Sequence, residues 1–146
     1  MIVSPKQIGK ILGGRAIVGR RVRTLGDLDE LVRGGLPKAA LNALIDRLKT
    51  AGEAEFAVRL RNGIVPRATY HRVERLNRQA SETVERLARL YAIVLAAFED
   101  PQAASRFLCS PHAELGNRIP LEVALTEIGG RIVEEVIERG LHGLPA

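Results

Sequence analysis

The chain has 146 residues, of which 46% are hydrophobic and 27% are charged, so one compact domain or two small ones is expected. This composition excludes whole-chain disorder, collagen and a disulfide-rich scaffold. The single cysteine, Cys109, cannot form an internal disulfide, which fits a reducing cytosol. No signal-peptide pattern opens the sequence, and the longest apolar run, 91–98, is far shorter than the roughly 20 residues of a membrane-spanning helix. We therefore expect a soluble, cytoplasmic protein with no membrane partner.

Positive charge is concentrated in the first two thirds of the chain. The net charge is +5, and 18 of the 22 cationic residues are arginine. Residues 1–58 carry a net charge of +4 and residues 59–89 carry +5, whereas residues 99–146 carry −4. An arginine excess favours phosphate recognition, because one guanidinium group can donate two hydrogen bonds to an anion; the codon bias of a GC-rich genome explains the same excess. The uneven charge predicts two surfaces with different partners.

Hydrophobic residues recur at helical spacing along almost the whole chain, which predicts an all-α fold. Ser4 and Pro5 are typical of a helix start, and Gly13–Gly14 of a helix end. Residues 13–26, with several arginines and β-branched residues, fit a loop, an arm or a short strand. Further helices are predicted over 27–33, from Pro37 to Gly52, over 53–61, from Pro66 to about Leu76, from the N-cap Ser81 to Phe98, from Pro101, and from Pro120 to Gly140 with a break near Thr126.

The helix from Ser81 has an apolar stripe and two expected ion pairs on its wet side, Glu82–Arg86 and Glu85–Arg89. Its segment 91–98 is apolar on every side. A helix without a polar face lies in the centre of its own core or under a second subunit. Both interpretations remain open at this point.

The segment 53–76 has the spacing of a helix-turn-helix, with Asn62–Gly63 in the expected turn. On the second helix, Tyr70, Val73 and Leu76 form the expected inward stripe. Cationic and polar side chains on the other side are suited to phosphates and guanine edges. The predicted DNA-binding residues are Arg67, Thr69, His71, Arg72 and Arg75. A solvated charged face explains the same pattern.

The sequence contains no recognisable catalytic or metal site. The three histidines are far apart and lack a second ligand at helical spacing, so no metal is expected. Ser110 and His112 lie close together without the acid or glycine elbow of a hydrolase. Cys109 is interpreted as a small buried side chain. We expect neither enzymatic activity nor a cofactor.

The last third of the sequence has a distinctive set of residues in a fixed order. They are Phe98, Asp100, Phe107–Leu108, Pro111, the loop 115–118, Pro120–Leu121, Thr126–Glu127, Gly129, Val133, Ile137 and Gly143. In order and spacing, residues 92–143 resemble the C-terminal domain of the MbcA/ParS/Xre antitoxins. Two positions depart from the family pattern: Phe107 replaces a usual Trp, and Asn117 replaces a frequent second Gly whose left-handed conformation Asn tolerates. The front half more loosely resembles the family's Xre-type helix-turn-helix, with Arg67, Thr69 and Arg72 matching its recognition helix.

The resemblance implies an Xre-like helix-turn-helix bundle followed by a small helical toxin-binding domain. The implied parts are an N-terminal extension (1–35), a helix-turn-helix region (36–80), a connecting helix (81–98) and the antitoxin domain (99–146). Such proteins are antitoxins of type II toxin–antitoxin systems. They block the active site of a RES-domain toxin that degrades NAD, dimerise, and bind operator DNA to repress their operon.

The acidic C-terminal region fits a toxin pocket that binds the phosphates of NAD. Chain ends are also well placed to enter a partner's cleft, although an ordinary helix end explains the same residues. Two alternatives from other classes remain: a stand-alone regulator or partition-linked DNA-binding protein, and an interaction module without DNA binding. The predicted toxin-binding residues are Glu134, Glu135, Glu138, Arg139, Gly140, Leu141, His142 and Gly143.

Overall fold

The computed structural model describes residues 3–48 and 54–141, and 75% of the structure is helical. Together they form ten α-helices and one short 3₁₀ helix, which confirms the predicted all-α fold. Across these two stretches no helix combines the length and apolarity needed to cross a membrane. The α-helices are α1 (Pro5–Ile11), α2 (Arg15–Val18), α3 (Leu25–Arg33), α4 (Lys38–Leu48), α5 (Ala54–Ile64), α6 (Arg67–Arg72), α7 (Arg78–Phe98), α8 (Pro101–Cys109), α9 (Pro120–Val123) and α10 (Glu127–Leu141), and the 3₁₀ helix η1 covers Ala113–Leu115.

Helix α7 lies at the centre of the fold and packs against α1, α3, α4, α5, α8 and α10. Its 21 residues span about 31 Å at 1.5 Å per residue. The side chains of Val84, Leu87, Tyr91 and Val94 are at most 1% exposed. Residues 91–94 of the apolar segment therefore lie in the protein's own core, which was the first of the two interpretations. Phe98, at the end of the segment, is 43% exposed, so the second-subunit interpretation remains open there.

Residues 3–35 pack onto this core, since α1 and α3 both lie against α7. The N-terminal helix starts as predicted, with Ser4 capping the backbone N–H of Gln7 at 3.2 Å. In the segment 13–26, whose conformation the sequence left open, Arg15–Val18 form the short helix α2. Helix α3 starts two residues earlier than predicted, because Thr24 and Asp27 form a reciprocal capping box around its first turn. The boundary between the extension and the rest of the chain stays a prediction.

The predicted start of α7 at Ser81 is wrong. Asn77 is the N-cap, and its side chain accepts a hydrogen bond of 2.8 Å from the backbone N–H of Ala80. Ser81 is fully buried, and its hydroxyl oxygen accepts the backbone N–H of Leu36 at 2.8 Å. The serine that the pattern predicted as an N-cap therefore links α7 to the segment before α4 instead.

The predicted ion pairs on α7 are half right. Arg89 pairs with Glu85 at 3.4 Å, as expected. Arg86 instead turns inward and donates to the carbonyl oxygens of Ala124 and Leu125 at 3.1 and 3.2 Å. Burial lowers the pKa of Arg86 below its usual range. This arginine binds the C-terminal end of α9 and is not a solvated surface charge.

In the C-terminal third, the predicted breaks are confirmed and one helix end is wrong. Asp100 caps α8 at Pro101, and α9 and α10 are separate helices with Thr126 between them. Helix α10 continues through Gly140 to Leu141, so Gly140 does not end it. The predicted helix end at Gly52 lies outside the described residues.

Candidate functional site

The predicted helix-turn-helix segment folds into two helices, α5 and α6, but the turn between them and the end of the second helix differ from the prediction. Helix α5 continues through Asn62–Gly63, and the chain turns at Val65 and Pro66 instead. The residue before a proline avoids the helical conformation, which explains the turn at Val65. A β-carbon on Gly63 would lie 3.0 Å from the Leu125 side chain, so this glycine allows α5 to pack closely on the C-terminal third.

Helix α6 ends at Arg72, four residues before the predicted end at Leu76. Val73 is extended, and the segment after it pairs with the chain before α4: the Lys38 N–H donates to the Glu74 carbonyl at 3.0 Å, and the Leu76 N–H donates to the Leu36 carbonyl at 2.8 Å. A β-carbon on Gly35, whose φ is +85°, would lie 2.5 Å from the Leu76 carbonyl oxygen. Backbone pairing across 40 residues of sequence therefore overrides the local helical pattern.

Arg75 consequently does not share a helix face with the other predicted DNA-binding residues. It lies in the paired segment opposite Pro37, and its guanidinium donates to the Gly35 carbonyl at 2.9 Å. Arg67, His71 and Arg72 remain together on α6 and are exposed, and Thr69 is half-buried beside them.

Tyr70 fixes α6 against α4 and α5. Its hydroxyl donates to the side chain of Asn42 at 2.7 Å. The ammonium group of Lys38 lies 5.0 Å from the centre of its ring, and the guanidinium carbon of Arg61 lies 4.7 Å from the same point. Lys38 also donates to the Tyr70 carbonyl at 3.1 Å. The tyrosine predicted to point inward therefore orients the cationic helix rather than filling an apolar core.

Helix α10 carries most of the predicted toxin-binding residues, which divide into two groups. Glu134 is half-buried and pairs with Arg89 at 3.4 Å, and Arg139 pairs with Glu114 at 3.0 Å. These two residues hold α10 to α7 and to the 3₁₀ helix. Gly140 and Leu141 are exposed, as are Glu135 and Glu138. His142 and Gly143 lie outside the described residues.

Two residues of this helix that the sequence analysis missed are exposed isoleucines. Ile128 is 68% exposed and Ile132 is 39% exposed. They are one turn apart and share the outward side of α10 with Glu135, so we define these three residues as the α10 face. In the sequence, the isoleucines fit the apolar helical pattern and were indistinguishable from core positions. Only the packing of the opposite side, with Gly129 and Val133 buried, shows that they point outward.

The loop between α8 and α9 has the conformation expected from its residues. Asn117 has φ +62° and Gly116 has φ +65°, so Asn117 adopts the left-handed conformation anticipated for it. Phe107 packs edge-on between Phe98 and His112, with ring centres 5.7 and 5.4 Å apart. Its smaller ring thus still joins α7, α8 and the loop.

Glu85 and Glu134 both face Arg89 where α7 meets α10. Burial raises the pKa of Glu85, although the charge of Arg89 opposes this shift. In the described stretches no three His, Cys, Asp or Glu side chains form a cluster suited to a metal ion.

Residues 94–143 match the family model of the antitoxin Xre/MbcA/ParS C-terminal toxin-binding domain. The C-terminal third of the chain is a toxin-binding domain of this family. The matched segment begins near the end of α7 and contains α8, η1, α9 and α10, so the α10 face lies within the toxin-binding domain. No curated protein shows a significant sequence match to the chain.

Proposed function

We propose that this protein is the antitoxin of a type II toxin–antitoxin pair and that it neutralises a RES-domain toxin that degrades NAD. The observation that carries the proposal is the toxin-binding domain at residues 94–143, with an exposed α10 face in it. On this view the chain is a cytoplasmic, non-enzymatic regulator. It acts by occupying the toxin's active site and needs no cofactor.

The α10 face supplies apolar and acidic groups for this contact. Exposed isoleucines provide apolar area of the kind that is buried in the centre of an interface. Glu135, and the neighbouring Glu138, carry carboxylates suited to cations that would otherwise hold the phosphates of NAD. Glu134 and Arg139 have a different proposed role, since their ion pairs within the chain orient α10 for the partner.

Co-expression with the polypeptide encoded by the neighbouring reading frame tests the proposal. We expect the wild-type chain to restore growth and the cellular NAD level. Replacing Ile128→Ser together with Ile132→Ser should weaken toxin binding by about tenfold or more, because truncating a central interface side chain commonly costs over 1 kcal/mol. If this variant still binds the toxin and still restores growth and the NAD level, the α10 face is not the contact.

A charge test complements the apolar one. Glu135→Gln with Glu138→Gln should weaken binding, whereas Glu55→Gln with Glu74→Gln makes the same change in net charge at exposed positions outside the domain and should not. Equal behaviour of the two variants would contradict an acidic contact. Failure of the wild-type chain to bind its neighbour or spare NAD would refute the antitoxin function itself.

We also propose that α5 and α6 form a helix-turn-helix that binds operator DNA and represses the operon. The exposed cations of α6 support this, together with the fixed orientation that Tyr70 gives this helix. Replacing Arg67→Gln or Arg72→Gln should weaken binding to the upstream DNA and lower the slope of log affinity against log salt concentration by about one unit for each lost phosphate contact. Unchanged binding in both variants would favour the interaction module without DNA binding.

The proposed DNA-binding form is a homodimer. A two-fold symmetric repressor contacts half-sites separated by about 34–36 Å, or one turn of DNA. Light scattering of the free protein and footprinting on the upstream region measure these two quantities. A monomer on a single half-site would contradict the dimer.

A further inference from the structure

The first 26 residues contain six cationic residues and no carboxylate. Arg20 is neutralised, since it pairs with Asp27 at 2.8 Å and with Glu30. The other five are exposed, and within residues 3–48 and 54–141 none of them forms an ion pair. They are Lys6, Lys10, Arg15, Arg21 and Arg23. Uncompensated positive charge is therefore concentrated in the N-terminal part of the chain.

Four of these residues border a single cleft of about 120 Å³ between α1 and α2. We define Lys6, Lys10, Arg15 and Arg21 as the N-terminal basic patch. The two lysines are one turn apart on α1, where like charges repel each other. Arg15 begins α2, and Arg21 follows it. An anion bound in the cleft would relieve this repulsion.

The patch is held in place by the fold. A β-carbon on Gly9 would lie 2.8 Å from the β-carbon of Val22, so α1 packs closely on the Val22 side chain in the segment after α2. The ion pairs of Arg20 fix that segment to α3. The cations thus project from a packed surface, which reduces the entropy lost when an anion binds.

The cleft combines a cationic rim with an apolar floor, where Val18 and Val22 are buried. A nucleic-acid backbone presents anionic phosphate oxygens next to the carbon atoms of its sugars. Free phosphate has no apolar part to match the floor. Arginine and lysine side chains also make the phosphate contacts that dominate DNA affinity. The chemistry of the cleft therefore favours a nucleic-acid strand.

Helix α4 connects the patch to α6. Arg47 near its C-terminal end donates to the Lys10 carbonyl at 3.2 Å, and Lys38 at its start donates to the Tyr70 carbonyl of α6. These two positions of α4 are about 14 Å apart along the helix axis. One turn of duplex DNA extends about 34 Å, so a bound duplex is longer than this distance along α4.

We propose that the N-terminal basic patch binds the phosphate backbone of double-stranded DNA without sequence preference and adds to the contacts of α6. This proposal rests on the proposed DNA-binding function. It differs from that function in the residues involved and in its independence of sequence.

The test measures binding of the full-length protein to a 30-base-pair duplex of random sequence between 50 and 200 mM salt. The patch variant is Arg15→Gln with Arg21→Gln. Its control is Arg33→Gln with Arg131→Gln, which changes the net charge equally at exposed arginines that pair with Asp29 and Glu127. Each lost phosphate contact lowers the salt slope by about 0.9, so we expect a decrease of about two units and at least about tenfold weaker binding in the patch variant. The control should change affinity less than about twofold.

A third variant, Arg67→Gln with Arg72→Gln, separates the two DNA proposals. If it binds both the upstream DNA and the random duplex as wild type does, while the patch variant weakens binding, the α6 proposal fails and the patch proposal stands. If only the α6 variant weakens binding, or if the patch and control variants lose affinity equally, the patch proposal is overturned. It is overturned as well if the wild-type protein does not bind the random duplex at 50 mM salt. The patch proposal is also overturned if the patch variant loses affinity for the neighbouring polypeptide and keeps its affinity for DNA.

Discussion

Replacing Gly129 with alanine should strongly destabilise the toxin-binding domain. This glycine lies in the first turn of α10, where the helix crosses the end of α9. An added β-carbon would overlap the carbonyl oxygen of Val123 and lie 2.7 Å from its carbonyl carbon. Carbon atoms in favourable contact are about 3.5–4.0 Å apart, so α9 and α10 must separate by about 0.8 Å to accommodate the carbon contact alone. Because the obstacle is backbone, no side-chain rotation relieves the overlap.

The expected loss of unfolding free energy is about 2–3 kcal/mol. Inserting a methyl group into a packed region costs about 1–3 kcal/mol or more, and alanine recovers about 0.5–1 kcal/mol of helix propensity. A contact with immobile backbone belongs at the upper end of that range. For a chain of this size the loss lowers the melting temperature by roughly 5–10 °C. Urea unfolding followed by circular dichroism measures the free energy, and thermal unfolding followed by the same signal measures the melting temperature.

Two other glycines of α10 provide matched controls. A β-carbon on Gly130 would meet the Arg86 side chain at 2.7 Å, and moving that side chain would weaken its hydrogen bonds to Ala124 and Leu125. Because a side chain shifts more readily than backbone, we expect a loss that is smaller than at Gly129. A β-carbon on Gly140 would have no neighbour within 4 Å, and alanine there should stabilise the helix by about 0.5–1 kcal/mol. The reasoning is refuted if Gly129→Ala is as stable as Gly140→Ala.

Three further predictions concern buried groups. Ser81→Ala removes the acceptor of the buried Leu36 N–H and should cost about 1–3 kcal/mol in urea unfolding; a loss below about 0.5 kcal/mol would show that the bond is dispensable. Burial raises the pKa of Glu85 in the folded chain, so the ionised side chain destabilises the fold at neutral pH. This destabilisation disappears as the pH falls through the folded pKa to the unfolded pKa, because the side chain becomes neutral. Glu85→Gln should therefore be more stable than wild type at pH 7, by a margin that shrinks toward pH 4.5; a margin independent of pH would contradict this. Burial raises the pKa of the Cys109 thiol to about 12, so a thiol reagent at pH 8 should react slowly with the folded protein and quickly in urea. Equal rates would show that the fold does not protect this thiol.

The predicted helix-turn-helix region shows how much of the structure the local sequence pattern predicts. The periodicity of the sequence correctly predicted a helix, a turn and a second helix between residues 53 and 76. It placed the turn at Asn62–Gly63, because glycine commonly marks a turn, whereas this glycine allows α5 to pack against Leu125. It extended α6 to Leu76, because the apolar spacing continues there. Pairing with residues 36–38 ends the helix earlier, and no local rule contains that contact.

The candidate toxin contact was likewise predicted only in part from the sequence. The sequence predicted the acidic character of α10 and its terminal residues, and the family resemblance predicted the domain that contains them. It did not separate Glu134 and Arg139, which hold the helix in place, from Glu135, which is exposed. It also missed Ile128 and Ile132, because an outward isoleucine and a core isoleucine have the same spacing when the helix has a broad apolar face.

The sequence by itself determined the all-α class, most helix positions, the separation of positive and negative charge, and the toxin-binding domain. These properties depend on neighbours within a few residues or on a pattern spread over a long segment. Only the tertiary structure decided that Ser81 accepts a distant N–H, that Arg86 turns inward, that Arg75 leaves the cationic helix and that the isoleucines of α10 face outward. The first three are hydrogen bonds between residues distant in sequence. They compete with local preferences of about 1 kcal/mol or less, whereas leaving a buried hydrogen-bonding group without its partner costs about 1–3 kcal/mol. The isoleucines face outward because Val133 and Ile137, on the other side of α10, are buried.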